Sequence, residues 1–220
     1  PATVDDVIFG QCYPNGENPS IGRLGALKAG MPIEVPGLQL DRRCGSGLQA
    51  ICFAAMEVQT GVADIVIAGG VESMSQAEFY VTGMRWGPNR GEMVLRDRID
   101  RGRVTVACID RFGVIQGMIP TAENLAEQYN ISREEQDRYA LRSHRNAVAA
   151  IEQGKFKDEI VPVLVPQRRG EPVLFDRDEH PRADTNMEKL AALKPVIGKT
   201  VTAGTASGET DAAAACLVMS

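Results

Sequence analysis

The chain has 220 residues, with 24 Lys and Arg against 29 Asp and Glu for a net charge of −5, and 44% of its residues are hydrophobic. That length can bury a sizeable apolar core in one large domain or two modest ones, and the composition is that of a soluble globular protein. The acidic balance disfavours nucleic acid and anionic lipid as partners, and no window approaches the roughly 18 to 20 apolar residues that a membrane helix needs.

In chain order, residues 4–12 read as a short buried strand, followed by a loop opened by Pro14, Gly16 and Pro19. A short helix is expected over 21–29, closed by Gly30, and a strand over 37–43. Cys44-Gly45-Ser46-Gly47 then turns into an apolar run from Leu48 to Thr60. Leu48, Ile51, Cys52, Ala55 and Val58 keep helical spacing while Ala50, Phe53, Ala54 and Met56 fill the other faces, so the helix is expected to be buried all round and stopped by Gly61. Residues 64–70 read as a second strand, which completes a βαβ unit of an α/β fold.

From residue 76 to about 120 the chain turns rich in Arg, Asp and Gly, as in a loop or an inserted unit. Thr121 is expected to cap a helix, and Ser132 with Glu135 to form a capping box for a longer one ending near Gly154, with Leu141, Ala147, Val148 and Ile151 inward. Residues 159–165 read as an edge strand because Pro162 cannot donate to a ladder, and 187–193 as a short helix. Gly204-Thr205-Ala206-Ser207-Gly208 is a small-residue turn, suited to a phosphate, a pantetheine arm or a plain connection; residues 212–219 form a buried helix or strand.

Six arginines (Arg85, Arg90, Arg96, Arg98, Arg101, Arg103) could gather phosphates, but a solvated, ion-paired loop is the favoured reading. Five cysteines in no metal-like spacing and two histidines argue against a disulfide scaffold or a metal site, and reduced thiols fit a cytoplasmic protein. The chain opens on Pro1 rather than Met, so the native start is expected to lie outside it. Cys44 stands at a strand-to-helix junction, where amides, the helix dipole, Arg42 and Arg43 favour a nucleophilic thiolate; a small buried hydrophobe is the competing reading. Cys52 reads as core, His144 as a packing histidine and His180 as an exposed loop residue, so a papain-like dyad is disfavoured.

Three sets of segments together resemble one family. Asp41-Arg42-Arg43-Cys44-Gly45-Ser46-Gly47-Leu48-Gln49-Ala50 resembles the nucleophile motif of the thiolases, the acetyl-CoA C-acyltransferases and acetyltransferases, and residues 68–75 (Ala-Gly-Gly-Val-Glu-Ser-Met-Ser) resemble the strand end that follows it there. Residues 121–124, 132–137 and 156–162 are similar to the family's loop domain, and 202–208 with Asp211 to the return into its core. The resemblance implies an α/β thiolase-like fold, a layered βαβ core with an inserted α+β loop domain. Residues 1–75 and 209–220 would be the N-terminal core domain, 76–208 the loop domain that holds coenzyme A, and the C-terminal half would be absent.

The implied reaction is acyl transfer through a Cys44 acyl-enzyme, cleaving 3-oxoacyl-CoA or condensing acyl-CoA with acetyl-CoA. The family's Gly-His-Pro histidine, Asn-Glu-x-Phe asparagine and second cysteine are not among the 220 residues, so this chain alone is expected to be inactive. By correspondence Arg182 meets the nucleotide end of coenzyme A, Ser207 the pantetheine, and Ala203 and Met118 line the same tunnel; no permanently bound cofactor and no metal are implied. Lys189, Gly117 and Thr205 depart from the pattern and count against the short-chain acetoacetyl-CoA subtype. The resemblance also implies a homodimer or homotetramer acting in fatty acid metabolism. A β-ketoacyl synthase-like condensing enzyme and a non-catalytic thiolase-fold binding module stand as alternatives.

Overall fold

Strand β1 (Asp6–Gly10) lies at the centre of a four-stranded sheet of order β2-β1-β3-β8, with β2 spanning Leu38–Leu40, β3 Ile65–Glu72 and β8 Ala212–Met219. The computed structural model describes residues 3–87, 90–113 and 117–220. β1 pairs in parallel with both β2 and β3, and β8 runs antiparallel to β3 from Ile65↔Met219 to Glu72↔Ala212. Helix α1 (Ile21–Lys28) connects β1 to β2, and α2 (Ser46–Thr60) connects β2 to β3. These are the two βαβ crossovers that parallel neighbours require.

Period-two alternation decides which helix each strand residue meets. Ile8, Val66 and Ala68 pack with Ala50 and Ala54 of α2, whereas Val7, Phe9 and Ile67 pack with Ala26 of α1 and Val35. The helices therefore cover opposite faces of the sheet. Gly61, at φ 71, ends α2 as expected, since a residue without Cβ enters the left-handed region at no steric cost.

The chain divides into two compact units, Pro1–Ile115 with Glu209–Ser220, and Gln116–Gly208. The described residues of 76–113 thus belong to the first unit. They form a two-stranded ribbon, β4 (Phe79–Tyr80) and β5 (Arg96–Asp97), then α3 (Arg98–Thr105) and α4 (Ile109–Phe112). Arg98 pairs with Glu78 at 3.3 Å, and Arg103 pairs with both Asp100 and Glu209.

In the second unit, α5 (Met118–Gln128) is followed by α6 (Arg133–Glu152). The Ser132–Glu135 capping box is present in both directions, an arrangement worth about 1 kcal/mol to a helix start. Asp137, Leu141 and Val148 form the inner face of α6, with the Arg133 guanidinium on Asp137 and on the carbonyls of Leu190 and Leu193. A hairpin of β6 (Val163–Val165) and β7 (Val173–Phe175) and the short α7 (Met187–Ala191) complete the unit.

Four expectations change. The outer face of α2 is open: Leu48 is 69% and Met56 56% exposed, because only the Ala50–Ala54 stripe meets the sheet. β8 is a strand, and it is exposed over most of its length as the outermost strand of its sheet. Thr121 is not a cap: α5 starts three residues earlier with Gly117 at the N-cap, Pro120 sits harmlessly in its first turn, and the Thr121 hydroxyl donates back to the Gly117 carbonyl at 3.0 Å. The edge strand shrinks to Val163–Val165, after Pro162, and is matched by β7, whose pattern was too short to read from sequence.

Candidate active site

The junction between β2 and α2 is a tight elbow, and its geometry follows from three side chains. Arg43 adopts a left-handed backbone, φ 52, which costs a non-glycine residue energy and persists only where surroundings hold it. Asp41 Oδ1 accepts the Arg43 N–H at 2.8 Å, and the buried Ser46 hydroxyl accepts the Arg42 N–H at 2.8 Å while donating to the Arg43 carbonyl at 2.6 Å. Cys44 rides on this turn, exposed, two residues ahead of the first residue of α2. The amides of Cys44 and Gly47 have no acceptor among the described residues, as expected at a helix start.

Cys44 opens into a pocket of about 250 Å³. Its floor is the glycine-lined C-terminal end of the sheet, with Gly10 from β1 and Gly70 from β3, and its rim includes Cys12, Arg43, Glu72 and Ala212–Ala214. The position at the C-terminal ends of parallel strands is where open α/β sheets place their ligands. Gly70 permits the approach: a Cβ there would stand 3.0 Å from the Gly10 carbonyl.

The pocket holds a second thiol that the sequence did not single out. Burial, together with the adjacent Glu72 carboxylate and the nearby Cys44 and Asp41, pushes the Cys12 thiol up to about 12, so it stays protonated at neutral pH. Glu72 is itself fixed by accepting the Cys12 and Tyr13 N–H groups at 2.7 and 3.2 Å. Gln11 lies in the same lining, 5% exposed, with an Oε1 that finds no donor among the described residues. Its signal in the sequence was only its place after a strand glycine.

Cys52 is exposed on α2 rather than buried in the core. His144 is half-buried on α6 and accepts the Arg182 N–H at Nδ1, 3.2 Å, as a packing histidine should; His180 is exposed, with its ring against Gly208.

Arg182, Ser207, Ala203 and Met118 all lie in the second unit and all are exposed. Met118 is the first residue of α5, and that helix is tied to the turn carrying Ala203 by Glu123, whose carboxylate accepts the Thr200 and Val201 N–H groups at 2.8 and 2.7 Å. The His180–Gly208 contact joins the Arg182 loop to the neighbour of Ser207. A larger cleft in this unit, about 460 Å³ between Ile151, Phe156 and Asp176–Asp178, includes none of the four.

The family model described as the thiolase N-terminal domain matches residues 1–220. The chain belongs to the thiolase family. This thiolase chain is 46% identical over 220 residues to an acetyl-CoA acetyltransferase of Pseudomonas aeruginosa, covering 99% of the chain and 54% of that protein. It is 47% identical over 222 residues to a β-ketoadipyl-CoA thiolase of Acinetobacter baylyi, covering 100% of the chain and 55% of the relative. Among solved structures, the Bacillus anthracis acetyl-CoA acetyltransferase matches with a TM-score of 0.86 at 45% identity, over 99% of the chain and 54% of the other. The thiolase chain therefore spans about half the length of the relatives it matches, and its fold, a mixed α/β sheet with flanking helices, is that of the solved structure over that span.

Proposed function

We propose that this chain carries the acyl-accepting part of a thiolase active site, with Cys44 as the nucleophile. The observation that supports this most directly is the exposed thiol held on a clamped elbow at the start of α2, at the mouth of a pocket. In the proposed reaction the Cys44 thiolate attacks the carbonyl carbon of an acyl-CoA thioester. The carbon–sulfur bond to coenzyme A breaks, and the departing thiolate is protonated to free coenzyme A. A base then takes an α-proton of acetyl-CoA, the resulting carbanion bonds to the acyl carbon, and the acyl–sulfur bond to Cys44 breaks to return the thiolate; in reverse, cleavage of 3-oxoacyl-CoA loads Cys44. Both directions develop an oxyanion, which unpaired amides fixed in a pocket stabilise better than water.

Arg182 is proposed to meet the nucleotide end of coenzyme A and Ser207 the pantetheine, with Ala203 and Met118 lining the passage. Residues 76–208 would be the inserted domain, of which 76–113 group with the first compact unit and all four side chains fall in the second. The tie between α5 and the Ala203 turn through Glu123 supports this grouping. The names of the relatives extend the reading to acetyl and 3-oxoacyl thioesters of coenzyme A as substrates, with no permanently bound cofactor. A cytoplasmic homodimer or homotetramer working in fatty acid metabolism completes the proposal.

The test is to incubate the full-length protein with acetyl-CoA and sequence its peptides by mass spectrometry. An acetyl group on Cys44, absent from Cys44→Ala, is the expected result. A label that spreads over Cys52, Cys108 and Cys216, or none at all, would overturn the reading.

A further inference from the structure

The Cys44 pocket is small and apolar over most of its lining, from Gly10, Gly47, Gly70, Val71 and Ala213, yet a guanidinium reaches that lining, donating to the carbonyl of Cys12. That group belongs to Arg43, and its place is fixed rather than left to rotamer choice. The left-handed backbone at Arg43 is held from both sides by Asp41 and Ser46, and Nη1 donates to the Cys12 carbonyl at 2.7 Å. Nε and Nη2, the other donors of the guanidinium, have no acceptor among the described residues.

The remaining charged groups around the pocket are already engaged. Both Glu72 oxygens accept backbone N–H groups, Arg103 is shared by Asp100 and Glu209, and Arg42 Nη1 donates to Gln49. Asp41 faces Arg43 at 3.4 Å, but one of its oxygens holds the Arg43 N–H and the pair is open to solvent, which leaves it weak. Tyr13 senses both Arg43 and Arg103, although burial is the larger influence on its hydroxyl. A neutral acyl chain would leave the free edge of Arg43 in water and gain nothing from it. A carboxylate matches a planar guanidinium in shape and charge.

We propose that Arg43 selects acyl groups that end in a carboxylate, so that the preferred substrates are coenzyme A thioesters of dicarboxylic or 3-oxodicarboxylic acids. The proposal rests on the thiolase reading of the Cys44 pocket and goes beyond it by naming the acyl class. The acetyl and β-ketoadipyl relatives lie at 46% and 47% identity, so identity alone does not choose between the two kinds of acyl group.

The experiment is protection of Cys44 from iodoacetamide in the full-length protein by succinyl-CoA and by butyryl-CoA, which share a four-carbon acyl chain and differ only at its end. Succinyl-CoA should protect at about tenfold lower concentration, the size of a charge-assisted hydrogen bond, and the gap should narrow as salt is raised. Arg43→Gln should close the gap and Arg43→Lys keep part of it. Because the gap is a ratio measured in one preparation, partial loss of folded protein leaves it unaltered. Equal protection in the unsubstituted protein, or a gap that survives Arg43→Gln, would overturn the proposal while leaving the thiolase reading in place. Protection by neither thioester would sink both.

Discussion

The Cβ that Gly10 lacks would fall 2.5 Å from the Cβ of Ser46 and 2.7 Å from the Gly47 nitrogen. Strand β1 therefore meets the start of α2 through bare backbone, and the elbow carrying Cys44 is seated on that contact. The obstructing atoms are mostly main chain and cannot rotate away. Gly10→Ala should lift the helix start, cost about 1 to 3 kcal/mol as overpacking does, and slow alkylation of Cys44. Thermal unfolding with iodoacetamide kinetics checks both; an unchanged alkylation rate would show that the elbow does not depend on this seat.

Ser46 does for the turn what Gly10 does for its seat. It is buried, accepts from Arg42 and donates to Arg43, so Ser46→Ala leaves the part-buried Arg42 N–H without its acceptor, while the Arg43 carbonyl keeps the Ser46 N–H at 2.9 Å. A loss of about 1 to 3 kcal/mol is expected. Ser46→Thr keeps the hydroxyl and should recover part of the stability, whereas a loss that is the same for both variants would mark the site as a matter of volume rather than hydrogen bonding.

Exposure cannot rank the cysteines, because Cys44, Cys52, Cys108 and Cys216 are all exposed. Chemical activation can. Cys44 should react with iodoacetamide at neutral pH about tenfold faster than Cys52 or Cys216, since of the three only Cys44 stands at a helix start, with Arg42 and Arg43 before it in the chain. Cys12 should be the slowest of the pocket thiols, because its pKa of about 12 leaves almost no thiolate near pH 7. Equal rates at Cys44, Cys52 and Cys216 would remove the activated-thiol assignment.

The hydrophobic periods of the sequence located the βαβ unit of β2, α2 and β3, and its caps set the ends of α2 and α6, because these signals are local. The Ser132–Glu135 box and Gly61 lie within one turn of the backbone groups they satisfy. What the pattern could not convey is cover. An all-apolar helix such as α2 reads as enclosed, although only the face bearing Ala50 and Ala54 finds a partner among the described residues. The same holds for β8, whose alanines suggested burial and form the open edge of the sheet.

The site was legible where chemistry sits on one segment and illegible where it is assembled from several. Cys44 announced itself at a strand-to-helix junction. Cys12, Glu72 and Gln11 come from other strand ends, and no spacing links residue 12 to residue 72; only the parallel register of β1 with β3, Gly10↔Gly70, brings them to one rim. Glu123 was equally silent, a glutamate on an amphipathic helix whose partners lie some eighty residues later.

Glu123 makes the stability of the second unit pH-dependent. Burial opposes its ionisation, but the Val201 N–H and the Thr200 hydroxyl and N–H outweigh that, and its carboxyl titrates below the ordinary value of 4.5. In the unfolded chain the group binds a proton at higher pH than in the folded one. Its contribution is therefore complete above about pH 4.5 and is lost as pH falls through the lower folded value. Glu123→Gln keeps the shape but replaces an acceptor with a donor that faces N–H groups, and should cost about 1 to 3 kcal/mol at pH 7. The difference from the unsubstituted protein should shrink as pH is lowered from 5 to 3, followed by denaturant unfolding at each pH. A difference that stays constant over that range would mean that the Glu123 carboxylate contributes nothing to the link between α5 and the Thr200 turn.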